Sequence, residues 1–488
     1  MARKKIKICL VSLGCPKNLV DSEVIASHLL DGRMEIVYEP AESDVVVVNT
    51  CGFIQVAVDE SEQTIQDLCR LKAGGVIRGV VVVGCLVQRF GTELLARLPA
   101  VDAFLPISDY SGLVGVIRGL LERGGAAADP PPPEPPDAAR FAGATGGRPR
   151  TATSDLSRAL LTASHTAYLR IAEGCNHRCA FCTIPEIRGR LSSKPIPLLV
   201  DEARGLAEAG VKELNLVAED TTDYGRDLDP PATLAELLQA LARIPKIRWI
   251  RILYAFPSHV TDALIETIAG NPKVLPYLDV PIQHYNDAIL ESMRRRTPPE
   301  LLDSLVTRLR DAVPEIVLRT SVIIGYPGET EERFEELFRF LQVARFERLG
   351  AFAFSPEPGT AAAGLDAPRP SSAEVTARIE KVMTFQKTVI EECNIALVGR
   401  EADVIVDSSS NGCGRGRTKA DAPDIDCSVV LSGPGIESGV IIPVRFTGYS
   451  GYDLIAEPLR SSERAGRSVS RSRKNHRKKD RNKRCRKG

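Results

Sequence analysis

Six of the twelve cysteines in the 488-residue chain stand where their spacing or setting gives them chemistry. Three fall in one loop, Glu173-Gly174-Cys175-Asn176-His177-Arg178-Cys179-Ala180-Phe181-Cys182, spaced C-x3-C-x2-C. Thiolates this close can wrap one face of a metal cluster. No fourth cysteine follows until Cys393. Three thiolates on a four-iron cluster leave one iron open, and an open position marks a reactive site rather than a structural one. The alternative is a zinc site completed by His177, although a Cys3His zinc site usually draws on two separated ligand pairs. The other three thiols are Cys15, Cys51 and Cys85. They are far apart in sequence, yet each follows closely on an apolar run, at residues 6–11, 44–48 and 79–83.

Those runs read as buried parallel strands, with helical patterns at 22–30 and 58–71 between them. Alternating strands and helices make an open parallel sheet, and ligands in such sheets lie beyond the carboxyl ends of the strands. Cys15, Cys51 and Cys85 are therefore expected to meet there as a second, auxiliary cluster site, with residues 1–123 as the N-terminal domain. Cys9 and Cys69 read as plain thiols. Residues 124–164 form a Pro/Gly/Ala-rich linker. Residues 165–392 alternate strand patterns (167–171, 213–217, 249–253, 280–282, 318–324) with helical ones. About six such units predict a partial (β/α)6 barrel with its chemistry at the carboxyl ends of the strands. Gly325-Tyr326-Pro327-Gly328-Glu329-Thr330 follows one strand and reads as a ligand-facing loop. Residues 393–460 hold short β-like runs with Gly-rich turns, the pattern of a small all-β barrel.

The cysteine loop, with Phe181 before its third cysteine, resembles that of the radical S-adenosylmethionine (SAM) enzymes, in which the open iron holds the amino and carboxylate groups of SAM. Three thiols on an N-terminal sheet, a radical-SAM barrel and a small TRAM-like C-terminal barrel together resemble the methylthiotransferases. The likeness spans nearly everything except the linker and the C-terminal tail. Within that family the local wording is similar to the branch that modifies an aspartate of small-subunit ribosomal protein twelve, rather than the branch that modifies an adenosine in tRNA. It is carried by Gly14-Cys15-Pro16-Lys17-Asn18-Leu19-Val20-Asp21-Ser22-Glu23, Asp220-Thr221-Thr222-Asp223-Tyr224-Gly225, Asp279-Val280-Pro281-Ile282-Gln283-His284 and Ala422-Pro423-Asp424-Ile425-Asp426. Two positions depart: Glu219 stands where Gln is expected, and Cys427 where Gly is expected.

The resemblance implies two [4Fe-4S] clusters and SAM as cofactors, an electron donor, and the ribosomal protein or small subunit as partner. The cluster on Cys175, Cys179 and Cys182 would bind and cleave SAM, and the resulting radical would take hydrogen from the substrate's β-carbon. The cluster on Cys15, Cys51 and Cys85 would present the sulfur that a separate SAM methylates. Expected pocket contacts are Arg319 to the SAM carboxylate, unless it is an ordinary ion pair, Asp220 to the ribose, and Arg251 and Gln283. His284 either lines the pocket or is structural.

Composition limits what else the chain can be. No apolar run is long enough for a membrane helix, and twelve cysteines without a secretion signal point to a reducing, cytoplasmic setting and metal use. The net charge of zero hides a partition: residues 461–488 carry +11 and the rest −11. The tail reads as a disordered basic arm suited to ribosomal RNA, or else as a solubilising tail. The alternative functions are a tRNA adenosine methylthiotransferase and a non-catalytic iron–sulfur ribosome-binding protein.

Overall fold

The computed structural model describes residues 5–107, 110–123 and 154–459; most of the expected linker (124–153) and the whole basic tail lie outside them. The chain divides into two compact units, 1–386 and 387–488. Among the described residues no helix is long and apolar enough to cross a membrane.

The first unit opens with five parallel strands in the order β2-β1-β3-β4-β5. They are β1 (Lys7–Ser12), β2 (Glu35–Val37), β3 (Val45–Thr50), β4 (Gly79–Gly84) and β5 (Ala103–Leu105). β3 and β4 are buried along their whole length, as expected of strands covered on both faces. Ile25, Leu29, Leu113 and Ile117 pack on one face, and Val58, Ile65 and Leu94 on the other. The short edge strands β2 and β5 give too few apolar residues to stand out in the sequence. The helix Pro16–Asp31 starts directly after Cys15, with Pro16 in its first turn, where a missing N–H costs nothing.

A second, six-stranded sheet has the order β13-β12-β11-β10-β9-β6. Its strands are β6 (Thr166–Arg170), β9 (Glu213–Val217), β10 (Trp249–Ile252), β11 (Val274–Asp279), β12 (Val317–Ile324) and β13 (Arg348–Ala353). All pair in parallel, which makes the expected partial barrel. Between β6 and β9 lies a small antiparallel pair, β7 (Ala172–Glu173) with β8 (Ser192–Ser193). One strand sits elsewhere than the sequence suggests: β11 is 274–279, and Val280–Ile282 follow it. Pro276 argues against a strand in the sequence, but it falls where the β10–β11 register shifts between Ile250 and Ile252, so the missing N–H is tolerated there.

The second unit contains a closed barrel in the order β14-β15-β16-β18-β17. Its strands are β14 (Glu401–Ser410), β15 (Cys413–Arg417), β16 (Val429–Ser432), β17 (Ile441–Ser450) and β18 (Asp453–Pro458). Val404, Val444, Phe446 and Leu454 fill it. β15, with two glycines and two arginines in five residues, has no apolar pattern from which to read a strand.

Candidate active site

Cys15, Cys51 and Cys85 follow β1, β3 and β4, which are adjacent in the sheet. The three loops touch. A Cβ on Gly14 would meet the Cys51 Cβ at 3.0 Å, and one on Gly52 would meet the backbone of Leu86 at 2.8 Å. Asn18 ties the loops together. Its Nδ2 donates to the carbonyls of Leu13 and Thr50 at 3.1 and 2.8 Å, and the Cys85 thiol lies 3.3 Å from its Oδ1.

Cys175, Cys179 and Cys182 line one cavity of about 270 Å³ at the carboxyl ends of the barrel strands. Cys182 N–H donates to the Cys179 carbonyl at 3.1 Å, so these two thiols sit across a single turn and not on a helix. Lys17, in the first turn of the helix that follows Cys15, and Phe53, from the loop that carries Cys51, line the same cavity. The fold thus brings residues that flank the first triad to the cavity lined by the second.

The donor sets fit iron–sulfur clusters better than single ions. Thiolates on one tetrahedral zinc, with Zn–S of about 2.3 Å, stand roughly 4 Å apart. Among the described residues the group of three or more candidate ligands whose donor atoms all lie within 4.8 Å is His177, Asp220, Asp223 and His259; neither cysteine triad is that tight. His177 is grouped with these carboxylates and His259, not with the three thiols. Burial pushes the Cys85 and Cys175 thiols up to about 12 and also raises Cys51 and Cys182, with neighbouring cysteines adding to the shift. Crowded, buried thiols resist becoming thiolates until a cationic metal centre supplies the missing charge.

His177 has a different task. Its Nε2 lies 2.7 Å from Asp220 Oδ2, and its ring stacks on Phe256 at 3.9 Å. His259 Nδ1 also reaches Asp220, at 3.2 Å. Burial alone would raise the Asp220 carboxyl, but the hydrogen bonds from His177, His259 and Thr222 hold it well below the usual range. Arg226 is 3.3 Å from His259 Nε2 and 3.1 Å from Asp223. Arginine only donates, so His259 Nε2 accepts and its Nδ1–H faces the carboxylates. The Arg226 guanidinium sits beside Asp223, and hydrogen bonds tie His177, Asp220 and His259 together.

The four pocket residues expected from the sequence divide. Gln283 and Asp220 line the cavity. Arg251 is fully buried, 3.1 Å from Glu213, with its guanidinium over the Tyr277 ring at 4.6 Å. Arg319 lies 3.2 Å from Asp279, and neither arginine is among the cavity's lining residues. His284 is buried, 3.5 Å from Glu329, whose carboxylate also accepts the Gly325 N–H and pairs with Arg378. The Gly-Tyr-Pro-Gly loop is thus pinned by its own glutamate.

Sequence reasoning missed Lys17, Tyr254, Arg188 and Arg295. Lys17 Nζ lies 3.0 Å from Glu219 and 4.6 Å from the centre of the Tyr254 ring. Burial would lower this ammonium, but Glu219 overrides it and the pKa is raised. The unexpected Glu219 therefore has a partner across the seam. Tyr254 and Gln283, at φ +59° and +70°, both hold left-handed backbone on the cavity wall, a strain that clusters at functional sites. Arg188 lies six residues after Cys182 and reaches Asn18 (2.7 Å), Asp21 (2.9 Å), Glu173 (3.1 Å) and the Cys85 sulfur (3.5 Å). Arg170 joins the same network through Asp21, Asp155 and Glu173, and Lys194 through Asp155. Asp155, at the end of the expected linker, is buried in that network. The one available signal for Arg188 was an arginine close behind the cysteine loop.

Family models match in three places: the uncharacterized protein family UPF0004 over residues 7–106, the radical SAM superfamily over 169–341 and the TRAM domain over 398–459. A ribosomal protein uS12 methylthiotransferase RimO from Geobacter sulfurreducens is 42% identical over 462 residues, covering 94% of this chain and 99% of that protein. The chain belongs to the RimO family of radical SAM methylthiotransferases. Its RimO relative in Anaeromyxobacter sp. is 42% identical, covering 95% of each chain. Among solved structures, the radical SAM methyltransferase TsrM from Kitasatospora setae, with cobalamin and a [4Fe-4S] cluster bound, aligns with a TM-score of 0.50 at 15% identity. It covers 73% of this RimO-family chain and 74% of its own, a likeness of fold.

Proposed function

We propose that this chain attaches a methylthio group to the β-carbon of an aspartate in ribosomal protein uS12, working in the cytoplasm on the protein or the small subunit. The observation that carries the reading is that Lys17 and Phe53, which flank Cys15 and Cys51, line the cavity that holds Cys175, Cys179 and Cys182. With clusters and SAM bound, Cys175, Cys179 and Cys182 would hold the radical-initiating centre, and Cys15, Cys51 and Cys85 the centre that presents sulfur. The protein's own part is positioning. Asn18 and Arg188 fix the strand-end thiols. Lys17 and Glu219 close the seam between the two sites. Asp220 orients His177 on the wall, and Gln283 and Ser321 face the cavity beside them. Arg251 and Arg319 would act through Glu213 and Asp279, by holding the strand ends in place.

Mass spectrometry of ribosomal proteins from cells with and without the chain tests this. The expected result is one methylthio group on one aspartate of uS12, present only with the chain. A methylthio-adenosine in tRNA with uS12 unmodified would move the chain to the tRNA branch.

A further inference from the structure

Six arginines are buried among the described residues: Arg170, Arg188, Arg251, Arg295, Arg378 and Arg417. Five of them hold a carboxylate: Arg170 and Arg188 both hold Asp21, Arg251 holds Glu213, Arg378 holds Glu329 and Arg417 holds Asp407. Arg295 holds none. It is 7% exposed. Its Nη2 donates to the Pro281 carbonyl at 2.5 Å, its Nη1 lies 3.9 Å from the Cys179 sulfur, and its Nε–H has no partner. A buried guanidinium with no carboxylate partner is costly; the Cys179 thiolate of a loaded cluster would offset part of that cost, and the unpartnered Nε–H leaves room for a further anion.

The position narrows the anion's identity. Arg295 stacks on Phe256 at 4.3 Å, and Phe256 stacks on His177. This column is a wall shared by two cavities, because all three residues line both the cluster cavity and a cleft of about 1160 Å³. That cleft also carries Arg178, Arg294 and Arg296. Its acids do not reach Arg295; Asp223, for instance, is taken by Arg226 and His259. A carboxylate arriving through the cleft would meet the Arg295 guanidinium next to the sulfur of Cys179.

Resting on the uS12 reading above, we propose that Arg295 binds the side-chain carboxylate of the target aspartate, with the Arg-lined cleft admitting the segment that carries it. The charge-assisted hydrogen bond leaves the β-carbon beside the cluster cavity and makes the enzyme select aspartate over asparagine.

The test uses full-length, cluster-loaded enzyme as wild type, Arg295→Gln and Arg295→Lys, with uS12 and uS12 whose target aspartate is replaced by asparagine. Arg295→Gln is expected to keep its iron, which iron analysis reads. It should lose at least about 30-fold in kcat/KM on uS12. The asparagine substrate should lose similarly with wild type and lose no further with the variant, since both changes remove one contact. Arg295→Lys should keep part of the preference for aspartate and serves as the readout where Arg295→Gln does not fold. Additive losses, or an unchanged preference for aspartate in both variants, would overturn the assignment. So would weakened SAM affinity with that preference intact, because the carboxylate held would then be that of SAM. Wild type failing on uS12 refutes the functional reading instead.

Discussion

The two cysteine triads are assembled by opposite routes. Cys175, Cys179 and Cys182 sit in eight residues of loop, the last two across one turn. Cys15, Cys51 and Cys85 span seventy-one residues and come together because β1, β3 and β4 are neighbours in a parallel sheet. The local triad depends on its own loop. The dispersed one depends on a whole domain being folded, and on side chains such as Asn18 and Arg188 that hold the strand-end loops together. The lesson is one of fragility: disturbing the seam should empty the dispersed site before the local one.

The largest expected effect tests the division of labour. Replacing Cys15, Cys51 and Cys85 together with Ala should abolish methylthiolation and leave reductive SAM cleavage measurable by release of 5′-deoxyadenosine. Loss of all cleavage, with the other cluster intact by spectroscopy, would mean that the two triads do not work separately.

Next in size is Arg188→Gln. The side chain is 1% exposed and bonded to Asp21 and Glu173, and removing one partner of a buried ionic network typically costs about 3–5 kcal/mol. Denaturant unfolding should show that loss, and iron should leave the Cys85 side first, because Arg188 reaches that sulfur. Equal loss from both triads would erase the distinction between them.

The smallest effect is Glu219→Gln. Glutamine keeps an acceptor for Lys17 but gives up the charge at 3.0 Å, so a stability loss of about 1–2 kcal/mol is expected with iron unchanged at both sites. A Lys17→Met background should absorb most of it. Independent losses would show that Glu219 acts elsewhere.

Legibility followed the same split. The C-x3-C-x2-C loop could be read directly, since spacing alone brings its sulfurs together. The dispersed triad was legible through topology, because each cysteine trails a strand and parallel strands share one active edge. Gln283 could be placed beside the pocket because it follows an apolar run, 280–282, that reads as a strand, although the strand itself ends at Asp279. Arg251 and Arg319 looked alike in sequence, but their carboxylate partners, Glu213 and Asp279, come from neighbouring strands, which no local pattern reveals. Arg188 and Arg295 were hidden for the same reason. A surface arginine and a buried one are spelled identically, and only packing shows which of them lacks a counter-charge.

The most direct test of two independent sites is iron analysis of the Cys175→Ala, Cys179→Ala, Cys182→Ala triple variant. The strand-end thiols need nothing from that loop's sulfurs, so about half of the wild-type iron should remain. Near-complete iron retention in the folded variant would contradict the claim that these three thiols hold a cluster.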